Sequence, residues 1–461
     1  MTKSRKIVLL VLAMITATFI LYLLSGGNNG LNFSSRNQEP ISARTYPLAQ
    51  LQQDFKQFQD TIENKHPMLY TNEDELSKLF EKQYALLNSD MNELDFYRVL
   101  SPIMAKLNCG HSNIIISEEY EDYLREKGRL LPFKVKVIDD RIFVIQDLSA
   151  VGLSAGTEIK SINSNPAQSI ISIFLANLTS DGANQTRKYE VVNMQFNDLY
   201  HNLIDSSESF VVTYVDPQGF DLKEATLPGL AVSKIRGHNL ELSSLGAYLD
   251  WNLLKKDISK EIHPNYALLN AKSFLVDSKD FKQVTDEFFQ EVADKQIPNI
   301  IIDLRGNWGG PPKSSVLLYS YLIQQSEKYF TKDAPFYYYQ YKKAIEPAEN
   351  KYDGNVYILT DGICFSTTGH LASLLKSHNL GTFIGEETGG SFLCSGNARS
   401  STLRNTRLRL YCSVDTYQVE AAGLTAGRGV MPDYEVKPSL DDYLTGNDPV
   451  KQFALDLIDQ K

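Results

Sequence analysis

The sequence predicts an α/β protein whose C-terminal half holds a layered sheet, preceded by a helical region and a small α+β module. Three observations carry this. From about Tyr266 to the end, apolar strand runs alternate with amphipathic helices, the pattern of helices laid over a sheet. From Leu48 to about Leu107, apolar residues recur at three- and four-residue spacing, the period of a helix with one buried face. Between about Leu131 and Val215, short strands and glycine turns replace that period. The chain has 461 residues, a length that suggests roughly three domains. Its hydrophobic fraction of 43% supports real cores. The net charge of −10 and the lack of a dense basic stretch beyond the extreme N-terminus argue against nucleic acid as a partner.

The elements follow in order. Lys3, Arg5 and Lys6 precede a charge-free, mostly apolar stretch over 7–24. A positive cluster followed by such a run reads as a signal anchor or signal peptide over residues 1–26. The stretch is near the ~20 residues that span a bilayer, and Ser25-Gly26-Gly27 offers a cleavage site. Either form places the body outside the cytoplasm, in a periplasmic or extracellular setting, with the membrane as a partner of the N-terminal segment. Residues 27–45, rich in Gly, Asn and Ser, read as a linker. The helical region, 46–118, carries Phe55, Phe58 and Ile62, then Leu76, Leu79, Phe80, Tyr84 and Leu87, then Phe96, Val99, Leu100, Ile103 and Leu107. It runs straight into Asn108-Cys109-Gly110-His111-Ser112-Asn113 and an apolar strand over 114–116. The α+β module, 130–225, has strands at 133–137 and 142–145, a glycine turn from Gly152 to Gly156, and an amphipathic helix over 167–175. It reads either as a small peptide-binding module or as an ordinary structural insert. In the last region, 255–461, a helix is expected over 281–295, a strand over 299–304 and a helix over 314–322.

The chemistry-bearing residues lie at two strand ends. An apolar strand over 355–359 runs into the turn Asp361-Gly362, and a helix with Leu371, Leu374 and Leu375 on one face follows. Ser366 therefore sits near the positive end of a helix dipole, where its bland role is that of an N-cap. A second strand, 300–304, ends in Arg305-Gly306-Asn307-Trp308-Gly309-Gly310. A Gly-Gly loop there can aim bare amides at an anion. A serine at one helix start and a glycine loop at another are what acyl transfer requires, a nucleophile and an oxyanion hole. The serine needs a base. Of His66, His111, His201, His238, His263, His370 and His378, His111 stands out, because it follows Gly110 at a helix-to-strand boundary. His370 lies one helical turn beyond Ser366 and points along the helix. The cysteines are Cys109, Cys364, Cys394 and Cys412. An exported compartment permits disulfides. Cys394 and Cys412 flank a predicted hairpin and are the expected pair if one forms, the other reading being four buried thiols. No spacing among cysteines and histidines matches a zinc motif, and no metal or organic cofactor is implied.

These residues resemble a family. Ile301-Ile302-Asp303-Leu304-Arg305-Gly306-Asn307-Trp308-Gly309-Gly310 resembles the DLRxNxGG strand-loop of the C-terminal processing (tail-specific) proteases and the tricorn protease core. The Ser366 turn, then Ile384-Gly385-Glu386-Glu387-Thr388-Gly389-Gly390, then Gly427-Arg428-Gly429-Val430-Met431-Pro432-Asp433 are similar to its other motifs, in the same order. Cys109-Gly110-His111-Ser112 resembles the Gly-His segment of the branch that uses histidine. The resemblance spans nearly the whole chain after the linker and implies a crotonase-like catalytic domain with a divergent PDZ-like module. In the Ser-Lys branch a lysine falls near the position of Ser391, and none lies between Gly385 and the Gly427 motif. The resemblance therefore implies Ser366 as nucleophile, His111 as base, and the amides of Gly309 or Gly310 and of Thr367 as the oxyanion hole. The family's orienting glutamate is not matched in place, and Glu420 is the nearest carboxylate upstream of Leu424-Thr425-Ala426. The expected activity is that of an exported serine endopeptidase acting through an acyl-enzyme on unfolded or C-terminal polypeptide segments. A peptide-binding protein with weak or lost catalysis and an esterase-like acyl hydrolase are the alternatives.

Overall fold

The computed structural model describes residues 40–149, 151–237 and 258–460. The expected signal segment and residues 27–39 of the linker lie outside them. Residues 40–44 form turns of their own, with the Ala43 amide on the Pro40 carbonyl at 2.8 Å. The compact unit begins at Thr45. No helix among the described residues is long and apolar enough to cross a membrane.

The predicted helical region forms α1 (Leu48–Lys65), α2 (Glu73–Tyr84) and α3 (Glu93–Lys106). Their apolar stripes become one buried face, with Leu51, Phe55, Phe58 and Ile62 from α1 and Phe96, Leu100 and Ile103 from α3. Asn72 caps α2 and Asn92 caps α3, each accepting from an amide three residues on. After α3 the chain turns through Asn108, whose φ of 50° is one that Asn tolerates, and enters the short strand β1 (Asn113–Ile115).

The middle module is built on β2 (Phe133–Ile138), β3 (Arg141–Asp147), β4 (Glu158–Ile162), α4 (Ala167–Asn177), α5 (Thr186–Leu203), β5 (Ser209–Val215) and β6 (Lys223–Pro228). Its sheet is antiparallel, in the order β6-β5-β4-β3-β2. Phe133, Val135 and Val137 alternate inward, as a strand with one covered face requires. These residues join the core of the N-terminal helices.

The last region holds β7 (Ile258–Ile262), β8 (Ala267–Ala271), α6 (Ser278–Asp294), β9 (Asn299–Asp303), α7 (Pro312–Leu322), β10 (Asn355–Thr360), α8 (Thr367–Ser377), β11 (Thr382–Gly385), β12 (Leu393–Gly396), β13 (Arg399–Thr402), β14 (Arg409–Cys412), β15 (Asp415–Gln418), β16 (Tyr434–Glu435) and α9 (Pro449–Asp459). The sheet order is β7-β8-β9-β10-β11-β16, parallel except for β7. Both faces are buried, which is why the strands read as continuous apolar runs. Leu269, Ile300, Ile302 and Ile358 face one core, with Leu371, Leu374 and Leu375 of α8. Leu268, Ile301, Tyr357, Leu359 and Ile384 face another, closed by Val450, Ala454 and Ile458 of α9.

Two contacts fasten the N-terminal helices to this region. β1 pairs antiparallel with β14, Leu410 opposite Ile114. Asp54 of α1 is fully buried and accepts from the Asn405 amide at 2.9 Å, the Thr406 amide at 2.8 Å and the Thr406 hydroxyl at 2.7 Å. Asp54→Ala strands these donors without water, at about 1 kcal/mol or more each. The expected result is a loss of roughly 3 kcal/mol in urea unfolding, and unchanged stability would contradict the clamp.

Of the two readings of the cysteines, the structure has four buried free thiols, and Cys394 and Cys412 are not paired. The hairpin exists but splits into two ladders. Cys394 on β12 lies opposite Tyr417, and Cys412 on β14 lies opposite Arg399. Cys394 Sγ lies against His370, whereas Cys412 Sγ lies near the Thr61 carbonyl of α1.

Candidate active site

Ser366 immediately precedes α8 with φ 55° and ψ −125°. A residue with a side chain reaches this backbone only when its surroundings impose it. Here two glycines make room. A Cβ on Gly309 would stand 2.8 Å from Ser366 Cβ, and one on Gly390 would stand 2.8 Å from the Ser366 amide. The side chain makes no N-cap bond, so the bland role weighed for it is not the one it plays.

Its hydroxyl instead meets His111, with Nε2 and Oγ at 2.9 Å across 255 residues of sequence. His111 is held from both sides. Ser112 Oγ accepts from the Ser413 amide at 3.0 Å, beside the β1–β14 pairing. The Gly110 amide donates to Asp181 Oδ1 at 2.8 Å. The imidazole stacks on Phe365, with centroids 4.4 Å apart. Arg187 lies across Phe365 at 3.5 Å and near Trp308 at 5.0 Å, a buried cation held on aromatic faces. Burial pushes the His111 pKa down to about 3, and the Arg187 and His370 charges add to this. The imidazole is therefore neutral at neutral pH, the form that can take a proton.

His370 is not a second base for Ser366. Its Nε2 lies 3.4 Å from Cys394 Sγ, and its ring packs edge-on against Phe330. Burial pushes its pKa down to about 4.

Of the amides expected at the oxyanion position, that of Gly309 already donates to Asn307 Oδ1 at 2.8 Å. Among the described residues, those of Gly310 and Thr367 donate to no protein acceptor. The Thr367 hydroxyl bonds the Gly310 carbonyl and ties the two loops together. Glu420, expected as the orienting acid, is solvent-exposed, and its amide donates to the Tyr329 carbonyl. The carboxylate beside the imidazole is Asp181. It is 2% exposed, and one of its oxygens lies within 4.8 Å of a His111 ring nitrogen and of Cys394 Sγ. Asp181 Oδ2 and His111 Nδ1 are both buried without a hydrogen-bond partner. Burial pushes the Asp181 pKa up to about 7, against the pull of the Gly110 amide and Arg187.

The remaining motif residues brace this arrangement. Glu387 takes a two-pronged bond from Arg428, both at 2.8 Å, and accepts the Gly429 amide at 2.8 Å. Arg305 bridges Asp303 and Asp448. The Gly182 amide bonds the Asn108 carbonyl at 2.9 Å, and the Ala183 amide bonds the Gly427 carbonyl at 2.8 Å, so the Asp181 loop is stitched to both.

Residues 265–436 match the model of peptidase family S41. That stretch, which holds Ser366 and the glycine loop after β9, is an S41 peptidase domain. With this domain the protein is a serine-type peptidase, a hydrolase. Among solved structures, the chain is similar to mature CPAF complexed with lactacystin, at 13% identity and a TM-score of 0.63, over 90% of this chain and 99% of that one. It is also similar to mature CPAF alone, at 13% identity and a TM-score of 0.62, over 90% and 98%. These two likenesses are of fold, and they take in the N-terminal and middle regions as well. No curated protein sequence matches it.

Proposed function

We propose that this S41 peptidase is an exported endopeptidase that cleaves polypeptides through an acyl-enzyme on Ser366, with His111 as general base. The observation that carries the reading is the 2.9 Å contact between Ser366 Oγ and His111 Nε2, made by a serine in a strained backbone at a helix start. Nε2 takes the hydroxyl proton as Oγ attacks the peptide carbonyl. The developing oxyanion lies toward the amides of Gly310 and Thr367, at the positive end of α8. Nε2 then returns its proton to the leaving amine, and water reverses the sequence to free the acid. Asp181 supplies the orienting charge that holds the Nδ1–H tautomer, in place of Glu420. The backbone frame of the Ser366 turn is that of a crotonase-like domain. The middle module, taken as PDZ-like, presents extended polypeptide to the site. The membrane-facing N-terminal segment and the exported setting follow from the positive cluster before residues 7–24.

A fluorophosphonate probe tests this directly. It labels the wild-type protein, and labelling is lost in Ser366→Ala and in His111→Ala, with circular dichroism unchanged. Equal labelling of Ser366→Ala would remove the serine from the reading, and labelling that survives His111→Ala would move the base elsewhere. A wild type that binds a labelled peptide tightly but neither cuts it nor reacts would favour the peptide-binding alternative. Ester turnover without amide turnover would favour the acyl hydrolase.

A further inference from the structure

We propose that His111, Asp181 and Cys394 form a zinc site that switches the Ser366–His111 pair off. The three come from separate parts of the fold: the loop after α3, the loop before α5, and β12. One nitrogen, one oxygen and one sulfur lie within 4.8 Å of one another. Tetrahedral zinc accepts this donor set, with the fourth position left for water. Two of the atoms point to a missing ligand, since His111 Nδ1 and Asp181 Oδ2 are buried with no partner. Such atoms in a native interior call for an explanation. The surroundings also suit the third donor. His370 Nε2, 3.4 Å from Cys394 Sγ, can donate to a thiolate and so acts as an outer support. Asp181 Oδ1 is already fixed by the Gly110 amide, which holds the carboxylate in place while Oδ2 is offered to the metal. Seating zinc requires the three donors to draw in by about an ångström, to bond lengths of ~2.0–2.3 Å.

The proton balance explains why such a site silences the enzyme. Binding expels the Cys394 thiol proton to solvent, because only the thiolate is a ligand. Zinc, one thiolate and one carboxylate sum to zero charge, so the cluster itself is neutral, one unit more positive than the thiol and carboxylate it replaces. Nε2 is committed to Ser366, so the metal takes Nδ1. The proton that Nδ1 carries in the active tautomer passes to Nε2, where a neutral imidazole metallated at Nδ1 holds it. His111 then donates to Ser366 Oγ and cannot receive its proton. The nucleophile stays in place and loses its base.

The inhibitory role rests on the peptidase reading, whereas the site itself does not, and the experiment separates them. Reduced protein is titrated with Co²⁺ and Zn²⁺ and read by absorbance, in the wild type and in Ser366→Ala. The expected result is a thiolate-to-cobalt band in the near ultraviolet in both, displaced by Zn²⁺. Cys394→Ser removes the band and weakens binding more than about a hundredfold, beyond what loss of an outer partner gives. Zn²⁺ lowers wild-type peptide turnover at least about tenfold and a chelator restores it, while Cys394→Ser keeps its basal rate and no longer responds. Cys394→Ala repeats the comparison should the serine variant fold poorly. Absence of the cobalt band in folded wild type overturns the proposal, as does Zn²⁺ inhibition that persists in both cysteine variants. A band in a wild type that shows no turnover at all keeps the metal site and overturns the peptidase reading instead.

Discussion

Asp181→Asn lowers kcat for peptide cleavage by about 10³–10⁴-fold, while KM and thermal unfolding stay close to wild type. The reasoning is one of tautomers. The asparagine carbonyl oxygen still accepts the Gly110 amide, so the loop that carries His111 keeps its place. The amide nitrogen takes the place of Asp181 Oδ2, which is buried without a partner beside the imidazole's own unpartnered Nδ1. A donor at that position favours a lone pair on Nδ1 and a proton on Nε2. Ser366 then faces a donor in place of an acceptor, and the base is lost without loss of structure. The rate of fluorophosphonate labelling falls in parallel, which a purely structural fault would not produce in a protein of unchanged stability. Steady-state kinetics within tenfold of wild type would take Asp181 out of the mechanism and return the question to Glu420.

Gly309→Ala abolishes labelling and costs about 2–6 kcal/mol of stability. Gly309 has φ 96°, which a side chain adopts only under strain of ~1–3 kcal/mol. The added Cβ would stand 2.7 Å from the Phe365 carbonyl, 2.8 Å from Ser366 Cβ and 3.0 Å from the Thr367 amide. Two of these are backbone atoms of the serine turn, so relief comes by moving the nucleophile and one expected oxyanion donor together. Overpacking of this kind adds ~1–3 kcal/mol. Urea unfolding and labelling measure the two effects, and a variant with normal turnover would show that the turn yields more easily than its packing implies.

What the sequence made visible was local. The strand-turn-helix around Ser366 and the glycine loop after β9 are read from neighbouring residues, and the alternation of strands and helices gave the layered sheet. His111 was marked by Gly110 and its place between α3 and β1. Asp181 carried no such mark. It lies in an irregular loop, and its position depends on long-range bonds from Gly182 to Asn108 and from Ala183 to Gly427. No periodicity encodes those. The hairpin holding Cys394 and Cys412 was legible, but its division into two ladders, which parts the two thiols, was not. The bond from the Gly309 amide to Asn307 Oδ1 was legible in principle, since asparagine commonly bonds the backbone two residues on.

The pairing of β1 with β14 has a consequence for the life of the chain. His111 is made early in synthesis and Ser366 late, and the strand that pairs beside His111, Arg409–Cys412, comes later still. A chain still emerging from the ribosome, or one clipped before that strand, has no serine–histidine couple. On the proposed mechanism, the order of synthesis thus delays cleavage until residues 409–412 have been made and paired.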